Sequence, residues 1–203
     1  MRWKWFLAGL IAFPVAAGLA GWIFLKTRAD GFSARAQPTR IETVLAQQAR
    51  RLAVPALAVS RVNPVSDSPE VLEEAKAHWA DHCAGCHSND GSGNTPMGKG
   101  MYPPAPDMRA PATQQMTDGE LFFIIENGVR MSGMPAWGGA GHDEQDSWKL
   151  VRFIRHLPRI TQQELLEMDK LNPKSPDELK EEQEEREFLN GGQPHEQSPH
   201  HHH

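Results

Sequence analysis

Apolar residues follow three patterns along this chain, and each predicts a different element. The first is an unbroken run: Trp5 to Leu25 carries no charge and is interrupted only by Pro14 and three glycines. As a helix this run would rise about 31 Å, close to the hydrocarbon thickness of a bilayer. Trp3, Trp5 and Trp22 lie near its ends, where indole rings favour the membrane interface, and Pro14 is a tolerated kink. A cleaved signal peptide is the alternative. It would need a shorter apolar region with a small-residue cleavage site close behind it. Ala34-Arg35-Ala36 has the small residues, but lies nine positions past Leu25 and beyond Lys26 and Arg28, which favours an uncleaved anchor.

The second pattern is a helical period. From Ile41 to Leu52 it is imperfect and predicts a short amphipathic helix at best, ended by Pro55 and Pro64. Ser68-Pro69 supplies a cap and a first-turn proline, and Val71, Leu72, Ala75 and Trp79 share the inward face of the helix that follows. Thr117-Asp118-Gly119-Glu120 is a capping box before the apolar run Leu121–Ile125, closed by Asn127-Gly128. A further helix over about 144–157 draws its inward stripe from Trp148, Val151 and Ile154 or from Leu150, Phe153 and Leu157, and stops at Pro158. Thr161-Gln162-Gln163-Glu164 and Ser175-Pro176-Asp177-Glu178 start two more, the second running into glutamates too numerous to bury. The third pattern is the lack of any period. Residues 88–116 and 129–142 read as loops, and the chain from Gly191 reads as disordered.

These boundaries divide the chain into an anchor (1–28), a linker with a short amphipathic helix (29–65), a compact all-α unit (66–160) and an acidic helical extension with a His-containing tail (161–203). Charge follows the same division. Lys and Arg outnumber Asp and Glu nine to two over residues 1–65, but are outnumbered eight to thirteen over 66–160 and four to eleven over 161–203. The net charge of −5 therefore combines a basic front with an acidic end. The basic residues sit beside the membrane segment, so no block reads as a nucleic-acid surface. Arg50, Arg51 and Arg61 could rest on anionic headgroups, or belong to an ordinary solvated spacer.

The candidate chemistry lies in Cys83-Ala84-Gly85-Cys86-His87, which contains both cysteines of the chain. Two thiols at this spacing can each add to one vinyl group of a porphyrin, and the adjacent imidazole then reaches the iron. A thioredoxin-like pair would require a βαβ context that is not visible. Zinc would require His82, Cys83, Cys86 and His87 to surround one ion from a six-residue segment, and a disulfide would close only a tiny loop. His87 fills one axial position. Methionines 97, 101, 108, 116, 131 and 134 and several histidines are candidates for the other. Met134 stands out because Met131-Ser132-Gly133-Met134-Pro135-Ala136-Trp137 is an inter-helix loop in which Gly133 allows close approach and Pro135 restricts the backbone; Met131 is next.

Residues 66–160 resemble a class I monohaem cytochrome c. The shared features are a helix into Cys-Ala-Gly-Cys-His, a wrapping loop, a middle helix, a Gly-Met-Pro-Ala-Trp loop and a closing helix. The resemblance implies an all-α class I cytochrome c fold, three to four helices around one covalent haem c. Cys83 and Cys86 would form the thioethers, with His87 and Met134 as the axial ligands. It further implies that a proline carbonyl within Tyr102-Pro103-Pro104-Ala105-Pro106 accepts the other ring N–H of His87. Trp79 and Trp148 would pack where the first and last helices cross, and Arg109, Tyr102 and Trp137 are candidates for propionate contacts. Haem attachment outside the bacterial cytoplasm would make the protein a single-pass inner-membrane protein with its haem domain in the periplasm.

With both axial positions filled, the iron exchanges electrons and offers no site to a substrate; Met/His ligation also raises the potential. No nucleophile–base constellation or phosphate loop suggests another reaction, so the sequence predicts a carrier rather than an enzyme. Its partners would be the membrane and redox proteins such as a terminal oxidase or reductase. Two other classes remain. One is a haem-based sensor of small ligands in which Met134 detaches. The other is a metal-handling protein using His195 and His200–His203, where clustered imidazoles could bind Cu, Ni or Zn.

Overall fold

The computed structural model describes residues 2–27, 33–34 and 36–189, all helix and connecting loop, with no strand among them. The histidine-rich tail lies outside the described residues. The unbroken apolar run forms helix α1 (Arg2–Thr27), which continues through Pro14. Its Ala8–Thr27 portion is long and apolar enough to cross a membrane, and none of it is buried in protein.

Helix α2 (Arg40–Ala53) begins at a capping box that the sequence reading missed. The Glu42 amide donates to Thr39 Oγ1 at 3.3 Å, and the Thr39 amide donates to the Glu42 carboxylate at 2.6 Å. The apolar side chains Ile41, Val44, Leu45 and Leu52 are all exposed, and no residue of α2 is fully buried. A single turn, α3 (Ala56–Val59), then docks on the start of a later helix, where Thr117 Oγ1 donates to the Val59 carbonyl at 2.9 Å. Arg61 is exposed. It pairs with Glu144 at 3.1 Å and lies 4.3 Å over the Phe122 ring.

Helix α4 (Pro69–His78) starts where Ser68 caps the Val71 amide, with Pro69 in the first turn. It then widens into a π-helical turn, Trp79–Cys83, before tightening into α5 (Ala84–His87). Such wide turns often mark functional sites. The wrapping loop contains two short helices that carry no periodic signature, α6 (Pro96–Gly100) and α7 (Pro111–Gln114). Helix α8 (Asp118–Asn127) has the expected capping box and ends at Gly128, and α9 (Glu144–His156) passes into a 3₁₀ turn at Leu157–Arg159.

The core forms where α4 crosses α9, with α8 beneath. Trp79 lies 5.4 Å from Phe153 between ring centroids, while Trp148 stacks on Phe122 at 4.1 Å. Both tryptophans are therefore in the core, with different partners. Helix α10 (Gln162–Asp169), placed by the sequence in the C-terminal extension, packs on this same core. Its Met168 is wholly buried. Its Glu167 reaches Lys76 at 2.6 Å, and Glu73 closes on the same ammonium at 2.7 Å. The last helix, α11 (Pro176–Leu189), has no buried residue among those described.

Candidate functional site

The π turn and α5 deliver Cys83, Cys86 and His87 to one wall of an apolar crevice. Met134, Pro135 and Trp137 line it from the loop after α8, Leu121 and Ile124 from α8 itself, and Pro103, Pro104 and Pro106 from the wrapping loop. The crevice is partly open to solvent, and its empty space, open solvent included, comes to about 920 Å³. Its wall is fixed through the backbone: the Gly93 amide donates to the His87 carbonyl at 2.8 Å, and Thr95 Oγ1 donates to the Cys86 carbonyl at 3.2 Å. Gly98 lies so close to the Cys86 carbonyl that a Cβ there would collide with it.

The chemistry of the wall suits a metalloporphyrin. His87 Nδ1 is buried with no hydrogen-bond partner, and burial lowers the pKa of the ring, which keeps imidazole neutral with a lone pair to give. The expected proline-carbonyl bond to His87 is not formed; the proline stretch lines the crevice instead. Burial pushes the Cys83 thiol up to about 12, with Cys86 adding to the effect. A redox-active dithiol requires a lowered thiol pKa, so this environment opposes the thioredoxin-like alternative. Among the described residues no three His, Cys, Asp or Glu side chains converge as a metal cluster, which disfavours the zinc arrangement.

The methionines separate by position. Met101, Met108, Met116 and Met134 line the crevice. Met131, with φ +60°, is 92 % exposed and turned away, and Met97 is also exposed. The loop carrying Met134 folds back on the end of α8: the Val129 amide donates to the Met134 carbonyl at 3.1 Å, and the Met134 amide donates to Ser132 Oγ at 3.1 Å. The Trp137 amide donates to the Ile125 carbonyl at 3.1 Å. Gly133 abuts the Met101 side chain, and a Cβ there would strike its sulfur.

Of the propionate candidates, Trp137 lines the crevice edge-on to His82, with ring centroids 5.6 Å apart. Arg109 is committed elsewhere, to Asp90 at 2.8 Å and Asp107 at 2.9 Å, where it braces the wrapping loop. Tyr102 is exposed beside the rim. Sequence reasoning missed Arg50 of α2, which reaches the crevice from outside the compact unit. No spacing rule links a linker helix to a site more than thirty residues later.

Helices wrapped around a crevice that joins a Cys-x-x-Cys-His wall to a methionine loop define a c-type cytochrome domain. Residues 70–154 match the family described as "Cytochrome C oxidase, cbb3-type, subunit III". The matched segment is a monohaem c-type cytochrome domain, which implies covalently bound haem c and electron transfer, and an N-terminal apolar helix precedes it in the chain. No curated protein matches the chain.

Proposed function

We propose that this protein is a membrane-tethered electron carrier of the periplasmic face of the bacterial inner membrane, its haem held by His/Met ligation. The observation that carries the reading is the meeting of Cys83, Cys86, His87 and Met134 on one apolar crevice. Cys83 and Cys86 are assigned the two thioethers, His87 the proximal bond and Met134 the distal one. When bound, the haem supplies a one-electron couple at its iron. The chain's own part is to keep the ligands in place in both oxidation states and to exclude water with Leu121, Ile124 and the prolines.

Helix α1 supports the tether, since residues Trp5 to Leu25 carry no charge and its Ala8–Thr27 span is exposed and long enough for a bilayer. The division into anchor (1–28), linker (29–65), haem domain (66–160) and acidic extension (161–203) belongs to the same proposal. The matched family points to a terminal oxidase as the electron-accepting or assembling partner. Redox encounters of this kind use small interfaces that release quickly.

Mass analysis of the protein from a haem-attaching host should show one added haem, and the oxidised spectrum should carry a sulfur-to-iron band. Met134→Ala should abolish that band, lower the midpoint potential and let carbon monoxide bind the reduced form quickly, while Met131→Ala leaves the spectrum unchanged. A wild-type protein that binds carbon monoxide rapidly would be a small-ligand sensor instead.

A further inference from the structure

We propose that Arg50, on the linker helix α2, is a haem-contacting residue whose guanidinium pairs with a haem propionate. The inference rests on haem occupying the crevice, and four observations carry it. Arg50 lines that crevice although it lies twenty residues before the matched segment. The lining is otherwise dominated by methionine, proline, leucine and isoleucine, with Arg50 its one permanently charged cation. A carboxylate brought into such a setting is strongly disfavoured unless a cation meets it. Three other arginines are already engaged, Arg61 with Glu144, Arg109 with Asp90 and Asp107, and Arg155 with Asp118, while Arg51, next to Arg50, does not line the crevice.

Arg50 itself forms no ion pair within 4 Å among the described residues. Its nearest opposing carboxylate acts from a distance, because Glu120 is held by the Thr117 amide at 2.6 Å in the capping box of α8. Arg50 is the residue of α2 that lines the crevice. Desolvation and the nearby Glu42 carboxylate raise the Tyr102 pKa, and the Tyr102 neighbours Met101 and Pro103 line the crevice. The helix thus brings one cation to the crevice and leaves Ile41, Val44, Leu45 and Leu52 exposed. The linker would then connect the membrane segment directly to the haem edge.

The test uses full-length, haem-loaded protein in detergent and the variants Arg50→Gln and Arg50→Lys, read by potentiometry against pH. A cation beside the haem favours the reduced, less positive centre. Arg50→Gln should therefore lower the ratio of reduced to oxidised protein at a fixed potential by about three- to tenfold. The same change should raise the pKa seen in the pH dependence of the midpoint, since the propionate loses its positive neighbour. Arg50→Lys, which keeps the charge, should retain most of the wild-type potential. Haem-loaded Arg50→Gln with an unshifted midpoint overturns the proposal, as does Arg50→Lys falling as far as Arg50→Gln. A lower melting temperature with no change of potential would show Arg50 serving Glu120 alone, and also overturns it. Absence of covalent haem in the wild-type protein would instead defeat the reading on which the proposal rests.

Discussion

Gly128 shows how one residue can serve two ends. As a helix terminator it is legible from Asn127-Gly128 following an apolar run. Its φ of +65° confirms that need, and its surroundings add another. A Cβ at this position would lie 2.6 Å from the Pro135 carbonyl carbon and 2.7 Å from the Met134 carbonyl oxygen. Both are backbone atoms and have little room to move. Gly128→Ala should therefore cost the fold more than about 1 kcal/mol through backbone strain alone. It should also push Met134 away from the crevice, weakening the sulfur-to-iron band in the oxidised spectrum. An alanine variant with wild-type melting temperature and spectrum would show that the loop has slack. The Cys83-Ala84-Gly85-Cys86-His87 motif was equally legible, since it is local to five consecutive residues, and the structure places Cys83, Cys86 and His87 on the crevice. Met134 could be singled out only by its loop, and the turning away of Met131 is a matter of backbone conformation that no spacing reveals.

At the scale of elements, caps were the most readable feature. Thr117, Thr161 and Ser68 all cap as their sequences imply, because a cap depends on side chains three residues apart. The short helices α6 and α7 are too brief to show a period, and the π turn at Trp79–Cys83 leaves no mark in composition. The docking of α10 was also hidden, because it depends on Lys76, a lysine on a helix assigned an inward apolar stripe. That side chain is only 2 % exposed, enclosed between Glu73 and Glu167. The hydrogen bond from Lys76 holds the Glu167 carboxyl below its usual value of 4.5. A carboxyl whose pKa is depressed by folding contributes stability above that ordinary value and loses it as pH falls through the lower folded one. The lysine is the reverse case. Its pKa is raised, because the hydrogen bonds to Glu167 and Glu73 outweigh desolvation, so its contribution is lost only as pH rises past 10.5 and through the folded value. Calorimetry should thus find the melting temperature falling as pH drops below about 4.5. Glu167→Gln should melt lower at neutral pH and show a shallower acid loss; identical acid profiles would remove the ion pair from the account of α10.

For the molecule as a whole, the exposed helix α1 and the haem domain are joined through α2, whose apolar side chains Ile41, Val44, Leu45 and Leu52 are exposed. Replacing residues 1–28 by a cleavable export leader should yield a soluble protein with the wild-type haem spectrum. Continued sedimentation with membranes would assign the tether to another part of the chain. The amino-acid sequence by itself determined the apolar span, the order of capped helices and the attachment motif, because each is set by neighbours within a few residues. Tertiary structure alone decided which methionines face the crevice, that α10 closes over a buried lysine, and that Arg50 reaches the crevice from the linker. Those outcomes depend on groups far apart in the chain meeting in a space from which water is largely excluded, where a charge must find its opposite and a sulfur must be aimed by the backbone that carries it.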